Sequence, residues 1–369
     1  MRVIVGLSGG VDSAVAALLL KQAGHEVEGL FMDNWPDDDA YCTAAADFQD
    51  ARAIAHSLGL ILHRVDFSAE YRERVFSRFL DAYRSGLTPN PDLLCNQYVK
   101  FDLCLEHARR LGADRFATGH YARLVPSDRG MDLHKGRDGN KDQSYFLATV
   151  SPSQLEHCLF PLGDLHKRRV REMARDAGLL VHDKPDSTGI CFIGERPFRE
   201  FLGRFIASEP GPIVDEHGSI LGEHCGLAFY TVGQRGGLGI GGRRGNDGLP
   251  WYVAGKDPAR NALLVVQGST HPRLFGRTLL TGPAHWLGAG PELPGRLQAK
   301  IRYRQSDQAA MVQSAGDGSL RVDFDVAQRA ITPGQYAVFY TGSRCLGSAV
   351  IAHAAIDSGV NPVASAING

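Results

Sequence analysis

Residues 8–13, Ser-Gly-Gly-Val-Asp-Ser, decide the fold of this chain. The apolar run at 2–7 precedes them, ends near a glycine and is typical of a buried strand. After them, Val11, Ala14 and Leu18 recur at helical spacing. A strand, a Gly-Gly turn and a helix start together form an anion site, because backbone amides and the helix N-terminus both favour negative charge.

The side chains of this stretch predict a phosphate ligand. Ser8 and Ser13 offer hydroxyl donors, and Asp12 can hold a metal ion beside a phosphate. The stretch has neither the lysine of a P-loop nor the G-x-G-x-x-G spacing of a dinucleotide fold. The alternative is an ordinary strand-to-helix turn. The stretch resembles the pyrophosphate-binding loop of the ATP pyrophosphatase superfamily, whose members cleave ATP between the α and β phosphates and leave AMP on a carbonyl oxygen.

Length and composition limit the class of protein. A chain of 369 residues predicts two or three domains, and 43% hydrophobic with 22% charged residues is typical of a soluble globular protein. No apolar run is long enough for a membrane helix, and no signal peptide is evident, so we expect a cytoplasmic protein. The formal net charge of -1 means that nucleic-acid binding would need local basic patches. Seven cysteines without a C-x-x-C pair predict a reducing compartment and no zinc site.

The first part of the chain predicts an α/β domain. Residues 26–32, 60–65 and 115–120 have the pattern of strands, and helical patterns separate them. This alternation predicts a doubly wound parallel sheet, in which ligands bind at the carboxyl ends of the strands. Met32 and Gly119 follow or end such strands and are candidates for the adenosine half of a nucleotide. Core packing and a plain turn are the alternatives.

Two cysteines are candidates for chemistry. Residues 88–96 form a loop stiffened by two prolines, in which Asp92 precedes Cys95 by three positions. This loop could present an acid and a thiol to one substrate. Alternatively, Asp92 caps the following helix and Cys95 is a small buried apolar residue. Cys191 lies in an apolar run between glycines, which by itself predicts a buried strand, and sequence spacing leaves open whether the two cysteines meet.

Other polar stretches predict partner contacts or ordinary surface. Residues 131–148 have the pattern of short strands around Lys141-Asp142-Gln143, either a contact site or a solvated hairpin turn. A basic helix at 167–175 is either a solvated face or a surface for a phosphate backbone. The glycine-rich stretch 231–242 is a lid, a nucleic-acid contact or a surface hairpin.

Beyond residue 206, alternating apolar residues replace helical periodicity. We predict a first domain at 1–205, a small, mostly β central domain at 206–272, a C-terminal β-barrel at 273–360 and a tail at 361–369. Strands are expected, for instance, at 296–303 and 336–340. The triplet Arg302-Tyr303-Arg304 on the first of these is either plain surface or a pair of cations and an aromatic ring for RNA phosphate and base stacking.

Taken together, these stretches resemble the bacterial tRNA-specific 2-thiouridylase family over essentially the whole chain. The motifs that carry the resemblance are GLSGGVDS at 6–13, NPDLLCNQYVKF at 90–101, ATGHYAR at 117–123, KDQSYFL at 141–147, DSTGICFIGE at 186–195, YTVGQRGGLGIGG at 230–242, PWYVAGKD at 250–257, IRYRQ at 301–305 and TPGQYAVFY at 332–340. The two cysteines together with the phosphate loop make the resemblance specific.

The resemblance implies ATP-dependent 2-thiolation of the wobble uridine in tRNAs for Lys, Glu and Gln. ATP would adenylate the C2 oxygen, because AMP is a good leaving group and a urea-like oxygen is a poor one. Cys191 would carry a persulfide supplied by a cysteine desulfurase or a relay protein. Cys95 would release that sulfur and leave a transient Cys95–Cys191 disulfide, with Asp92 as general acid and base. Both direct persulfide attack and released hydrosulfide remain open at this point.

The resemblance also assigns binding residues, in a chain that we expect to act as a monomer. ATP, with Mg²⁺ at Asp12, would be bound by Gly6, Leu7, Ser8, Gly9, Gly10, Val11, Asp12, Ser13, Met32 and Gly119. The flipped-out base would be bound by Asn90, Pro91 and Asp92. Contacts with tRNA would come from His120, Lys141, Asp142, Gln143, Arg302, Tyr303 and Gln335.

Two other hypotheses remain at the sequence level. An ATP pyrophosphatase that activates a carbonyl for attack by ammonia, as in amide-forming synthetases, needs no paired thiols and no RNA surface. A non-catalytic tRNA-binding protein that uses ATP as a conformational ligand would release neither AMP nor pyrophosphate.

Overall fold

The computed structural model of the protein describes residues 1–35, 44–128, 130–186, 198–241 and 248–355. Cys191 and the predicted tail at 361–369 lie outside the described residues. None of the described helices is both long enough and apolar enough to cross a membrane.

A parallel sheet forms the centre of the first domain. Its described part contains the strands β1 (Arg2–Gly6), β2 (Glu26–Asp33), β3 (Leu62–Asp66), β4 (Arg115–Ala117), β5 (Ala122–Ser127), β6 (Gly130–Lys135) and β7 (Cys158–Leu159). Five of them form the sheet in the order β3-β2-β1-β4-β7, with every neighbouring pair parallel. The chain runs from β1 through β2 to β3 on one side and then forms β4 on the other side of β1, so the strand order reverses at β1, where ligands bind in such sheets.

Helices cover both faces of this sheet. They are α1 (Val11–Gln22), α2 (Ala44–Leu58), α3 (Ser68–Tyr71), α4 (Ser77–Arg84), α5 (Pro91–Cys95), α6 (Leu105–Arg110), α7 (Ser144–Leu147), α8 (Pro152–Leu155) and α9 (Lys167–Asp176). Two π-helical segments, Arg72–Phe76 and Asn96–Cys104, join α3 to α4 and α5 to α6. A further short helix, α10 (Phe198–Gly203), precedes the central domain.

The side chains of β1 point alternately to the two faces of the sheet, and this explains why helices cover both faces. Val3 and Val5 are fully buried in a core that includes residues of α1, α2 and α9. Ile4 points to the opposite face and belongs to a second core with the helices between α3 and α6. Successive side chains of a strand point to opposite faces, so a continuous apolar strand needs a helix layer on each side. The predicted doubly wound sheet is confirmed.

The central domain is a small four-stranded sheet. Its strands are β8 (Gly211–Val214), β9 (Ile220–His224), β10 (Trp251–Asp257) and β11 (Ala262–Gln267), in the order β10-β11-β8-β9. β8 and β11 are parallel, and the other pairs are antiparallel.

The C-terminal domain is a closed antiparallel barrel, as predicted. Its strands are β12 (Phe275–Pro283), β13 (His285–Trp286), β14 (Gly295–Lys300), β15 (Gln308–Gly316), β16 (Ser319–Arg329), β17 (Tyr336–Thr341) and β18 (Arg344–Ala355). Six of them follow one another in the order β12-β16-β15-β14-β17-β18, and pairing of β12 with β18 closes the barrel. The β5–β6 hairpin of the first domain joins this sheet, because Arg344 in β18 pairs with His134 in β6. The barrel is therefore attached directly to the first domain.

Three local predictions were wrong. The strand expected at 296–303 ends at Lys300, so Arg302 and Tyr303 lie in a turn. The stretch 131–148 holds one strand and then the helical turn α7, which places Lys141 in a turn before a helix instead of at a hairpin tip. The strand expected at 115–120 stops at Ala117. At Arg302, contacts with Arg329 and Ala330 replace the strand pattern, whereas at 136–144 hydrogen bonds of Asp142 with Gly136 and Ser144 form the turn.

Candidate active site

The loop between β1 and α1 is folded as an anion site. Gly9 has φ +74°, and a Cβ atom there would lie 2.4 Å from the carbonyl oxygen of Asp47, so only glycine fits. Inside the loop, Ser8 N donates to Ser13 Oγ at 3.2 Å, and Ser13 Oγ donates to Gly10 O at 3.0 Å. Gly10 caps α1 without a side-chain hydrogen bond, so the first amides of the helix have no side-chain acceptor. This end of α1 can bind a phosphate.

Asp12, at the start of α1, is held by a lysine from a distant helix. Lys167 Nζ lies 2.7 Å from each carboxylate oxygen of Asp12, and Tyr121 OH donates to Asp12 Oδ1 at 2.7 Å. Lys167 is only 8% exposed, and its ammonium also lies 2.7 Å from Asp186 Oδ1. A buried cation therefore lies beside the phosphate loop, where it can face the charge of a polyphosphate.

Asp186 connects this cluster to Lys141. Lys141 Nζ donates to Asp186 Oδ2 at 2.6 Å, and Arg171 donates to Asp186 Oδ1 at 2.9 Å. Burial raises the pKa of Asp186, but hydrogen bonds from Lys141 and Lys167 outweigh it and lower the pKa to about 2. Asp186 is therefore ionised at neutral pH and keeps the three cations together.

A second lysine, Lys184, connects the phosphate loop between β1 and α1 to helix α2. Lys184 Nζ donates to Gly9 O at 3.1 Å, to Asp47 Oδ1 at 2.7 Å and to Asp50 Oδ2 at 2.6 Å. Burial lowers the pKa of Lys184, but the hydrogen bonds to Asp47 and Asp50 raise it above its usual value. The loop is thus fixed from outside as well as by its own serines.

The two candidates for the adenosine half lie at the carboxyl edge of the sheet. A Cβ atom on Gly119 would lie 2.7 Å from Asp12 C and 2.8 Å from Ser13 N, so its backbone packs directly on the start of α1. Met32 is the penultimate residue of β2, and its sulfur accepts from the Cys104 thiol at 3.2 Å. The side chain of Met32 faces the core, Met32 pairs with Val65 in β3, and its role in nucleotide binding stays a prediction.

Residues 88–91, here called the proline loop, lead into α5, on which Asp92 and Cys95 lie. Asn90 caps this helix by accepting a hydrogen bond from Asp92 N at 3.1 Å, and Pro91 occupies the first helical position. The alternative in which Asp92 is the cap is therefore wrong, because Asn90, two residues earlier, is the cap. Cys95 is 0% exposed and packs in the core beside Val99. This is the geometry of a buried apolar residue, and the catalytic role of Cys95 stays a prediction.

His120 faces the interior of the first domain. It is 9% exposed, its Nδ1 lies 2.7 Å from Thr118 Oγ1, and its ring lies between those of Phe101 and Phe160. Burial, together with the charge of Lys100, lowers the pKa of His120 well below its usual value. A neutral, enclosed imidazole offers little to an RNA surface in this arrangement.

The segment 141–143 is largely committed to contacts within the chain. Asp142 is 5% exposed, and its Oδ1 accepts from the amides of Gly136 and Ser144, both at 3.1 Å. Gln143 forms two hydrogen bonds with the main chain of Tyr121. Gln143 N donates to Tyr121 O at 2.9 Å, and Gln143 Oε1 accepts from Tyr121 N at 3.0 Å. These contacts give Asp142 and Gln143 a structural role, whatever the segment binds.

The candidate tRNA contact Tyr303, in the C-terminal domain, contacts both ends of the first domain's segment 141–146. Tyr303 packs on Phe146 with ring centroids 4.4 Å apart, and its hydroxyl donates to Lys141 O at 3.5 Å. Arg302 donates to the carbonyl oxygens of Arg329 at 2.6 Å and of Ala330. The structure therefore brings together candidates that are about 160 positions apart in sequence. Gln335 lies elsewhere, against the proline loop.

Comparisons with known proteins decide the family. Family models match residues 1–195 as a tRNA methyl transferase HUP domain, 199–267 as a tRNA methyl transferase PRC-barrel domain and 276–351 as an aminomethyltransferase beta-barrel domain. The tRNA-specific 2-thiouridylase MnmA of Verminephrobacter eiseniae (strain EF01-2) is 54% identical over 362 residues, covering 95% of this chain and 98% of that protein. The chain belongs to the tRNA-specific 2-thiouridylase family.

Other 2-thiouridylases match to the same degree. Those of Paracidovorax citrulli (strain AAC00-1) and Hydrogenovibrio crunogenus (strain DSM 25203 / XCL-2) are each 54% identical over 95% of this chain, covering 96% and 94% of those proteins. The resemblance read from the motifs is confirmed, and so is the order of an α/β domain, a small β domain and a barrel. The exact domain boundaries stay a prediction.

Two residues of this 2-thiouridylase site were missed at the sequence level. Lys167 lies on the basic helix, where it was grouped with arginines as a solvated or RNA-binding face. Its neighbour Arg168 does point to solvent, with a side chain 92% exposed, whereas Lys167 points inward to Asp12. Lys184 lies in none of the motifs identified in the sequence. Only the charge of the helix was a signal, and charge alone does not tell an inward lysine from an outward one.

Proposed function

We propose that this chain catalyses ATP-dependent 2-thiolation of the wobble uridine in tRNAs for Lys, Glu and Gln. The carrying observation is that the phosphate loop, Lys167 and Gly119 lie together at the carboxyl edge of the sheet, in a chain of the 2-thiouridylase family. The family of the chain favours catalysis over binding alone, and release of AMP and pyrophosphate would separate the two.

The site supports adenylation of a carbonyl oxygen. The loop would bind the β and γ phosphates at the start of α1, and Lys167 would offset the charge of the pyrophosphate as it leaves. The C2 oxygen of uridine attacks the α phosphate, the α–β bridging bond breaks, and AMP remains on that oxygen. The main chains of Gly119, which packs on α1, and of Met32, near the end of β2, would contact the adenosine half.

The donor set at the loop fits Mg²⁺ bound through phosphate. Among the described residues, no group of three or more His, Cys, Asp or Glu side chains could hold a metal ion alone. Mg²⁺ usually binds through one or two carboxylates and substrate phosphate oxygens, so Asp12 would suffice as the protein ligand. Bound there, Mg²⁺ would supply further charge neutralisation. Asp12 would then share its carboxylate with Lys167 and Tyr121.

Sulfur transfer would involve Cys191 and Cys95. A persulfide on Cys191, supplied by a donor protein, is attacked at its inner sulfur by the Cys95 thiolate. The S–S bond of the persulfide breaks, a Cys95–Cys191 disulfide forms, and the released hydrosulfide displaces AMP from C2. Because Cys95 is fully buried here, this step requires a conformational change that exposes its sulfur. Asp92, three residues before Cys95 on α5, would move the protons.

The test separates adenylation from sulfur transfer. Cys191→Ser and Cys95→Ser should each abolish 2-thiouridine formation, measured by mass spectrometry of tRNA digests, while tRNA-dependent pyrophosphate release continues. Cys225→Ser is the matched control, since Cys225 is half-buried in the central domain and should leave both reactions unchanged. Thiolation by the Cys191→Ser variant would contradict the mechanism. Ammonia incorporation by a double Cys95/Cys191 variant would favour an amide-forming synthetase.

A further inference from the structure

The loop that leads into α5 has two prolines in four residues, so it offers few backbone hydrogen-bond donors. Residues 88–91 read Thr-Pro-Asn-Pro, and the two prolines have no N–H group. Thr88 is 9% exposed, so its polar groups must be satisfied by protein. Such a loop needs contacts from other segments to hold one conformation, and it sets the position of Asn90 and Asp92.

The barrel supplies one set of these contacts. Gln335 Nε2 donates to Thr88 O at 2.8 Å and to Pro89 O at 3.3 Å. Thr88 N in turn donates to Pro333 O at 2.9 Å. Between these two residues, Gly334 has φ +92°, and a Cβ atom there would lie 2.8 Å from Thr88 N. The barrel turn 333–335 therefore touches the backbone of the proline loop directly.

The central domain supplies the other set. Lys256, on β10, donates from Nζ to Gly86 O at 2.8 Å. Thr231 Oγ1 lies 3.4 Å from Thr88 Oγ1. The amine of Lys256 is largely buried, and this burial lowers its pKa to about 8. Both β domains thus contact the same four-residue stretch, 86–89, and both reach Thr88.

We propose that Lys256 and the turn 333–335 are positioning elements for Asn90 and Asp92. The two β domains would then set the geometry at the target base, in addition to any contact that they make with RNA. The catalytic part of this inference depends on the proposed thiolation, whereas the positioning part depends only on the contacts above. Gln335 is itself a predicted tRNA contact, so substituting it would mix two effects.

The test uses a pair of glycines in the same barrel. Gly334→Ala places a Cβ atom against Thr88, whereas Gly316→Ala has nothing within 4 Å at nearly the same φ, +97° against +92°. Both variants place alanine at a similar positive φ, so the difference between them reports mainly the collision with the proline loop. We expect hydrogen exchange in the peptide 86–95 to be faster only in Gly334→Ala. Thiolation turnover should fall about 10- to 100-fold relative to Gly316→Ala, with tRNA and ATP dissociation constants unchanged.

Two outcomes would overturn the inference: equal exchange in the two variants, or faster exchange with unchanged turnover. Lys256→Met extends the test if Gly334→Ala does not fold, since it removes only the donor to Gly86 O. It should increase exchange of the same peptide and lower kcat with KM for tRNA unchanged, and the absence of both effects counts against the proposal. If the wild-type chain does not thiolate tRNA, the proposed function fails, but the exchange comparison still decides the positioning claim.

Discussion

Replacing Lys167 by methionine tests whether the buried lysine serves the nucleotide. The substitution keeps most of the side-chain volume and removes an ammonium that lies 2.7 Å from both oxygens of Asp12 and from Asp186 Oδ1. Two carboxylates would then lie beside the phosphate loop without their shared cation. Their charge would repel a polyphosphate, and the attraction from Lys167 would be lost as well.

The magnitude follows from the contacts. A hydrogen bond to a charged group contributes about 1.5–3 kcal/mol, so the dissociation constant for a non-hydrolysable ATP analogue should rise about 10- to 150-fold. Asp12 and Asp186 have side chains 33% and 30% exposed, so water compensates part of the loss of their partner. The free energy of unfolding should therefore fall by only about 1–3 kcal/mol, less than for a fully buried pair.

The matched control is Arg168→Met, one position along the same helix. The Arg168 side chain is 92% exposed and lies 3.6 Å from Glu172, an exposed pair worth at most about 1 kcal/mol. Titration calorimetry at one ionic strength would measure both affinities, and urea unfolding both stabilities. If Lys167→Met binds the analogue within about threefold of Arg168→Met, Lys167 does not contribute to nucleotide binding.

Two further predictions follow from the same contacts. Gly119→Ala should weaken binding of the ATP analogue at least about tenfold, because its Cβ would lie 2.7 Å from Asp12 C; Gly139→Ala, with nothing within 4 Å, should not. Equal affinities for the two variants would show that the start of α1 absorbs the collision. Burial lowers the pKa of Lys256 from 10.5 to about 8, so above pH 8 the unfolded chain binds more protons than the folded one and stability rises with pH. Relative to Lys256→Met, the wild-type free energy of unfolding should increase by about 1.5 kcal/mol between about pH 8 and about pH 9.5 in urea titrations, and a flat difference would refute the shifted pKa.

The local sequence was sufficient where short-range patterns decide structure. The apolar strand, the Gly-Gly turn and the helix start at 2–22 predict β1, the phosphate loop and α1, because each depends on backbone conformation within a few residues. The α/β alternation likewise predicts a parallel sheet with the site at its carboxyl edge. Gly9 had to be glycine for its positive φ, but the carbonyl of Asp47 that excludes a side chain became visible only in the fold.

Contacts between distant segments could not be read from those patterns. Lys167 and Lys184 reach the loop across 155 and 175 positions, and Gln335 reaches Thr88 across 247. A lysine on a basic helix has the same local pattern whether it points to solvent or to a carboxylate. The turn at Arg302 also ends a predicted strand, because that side chain bonds the carbonyls of Arg329 and Ala330.

The sequence by itself determined the class of site: a phosphate loop, a parallel sheet behind it, and two candidate cysteines in motifs of one family. The tertiary structure decided which charges lie at the loop, that Cys95 is buried, and which domains hold the proline loop. The physical reason is that backbone preferences act over a few residues. Burial and ion pairing depend instead on which remote surfaces the folded chain brings together.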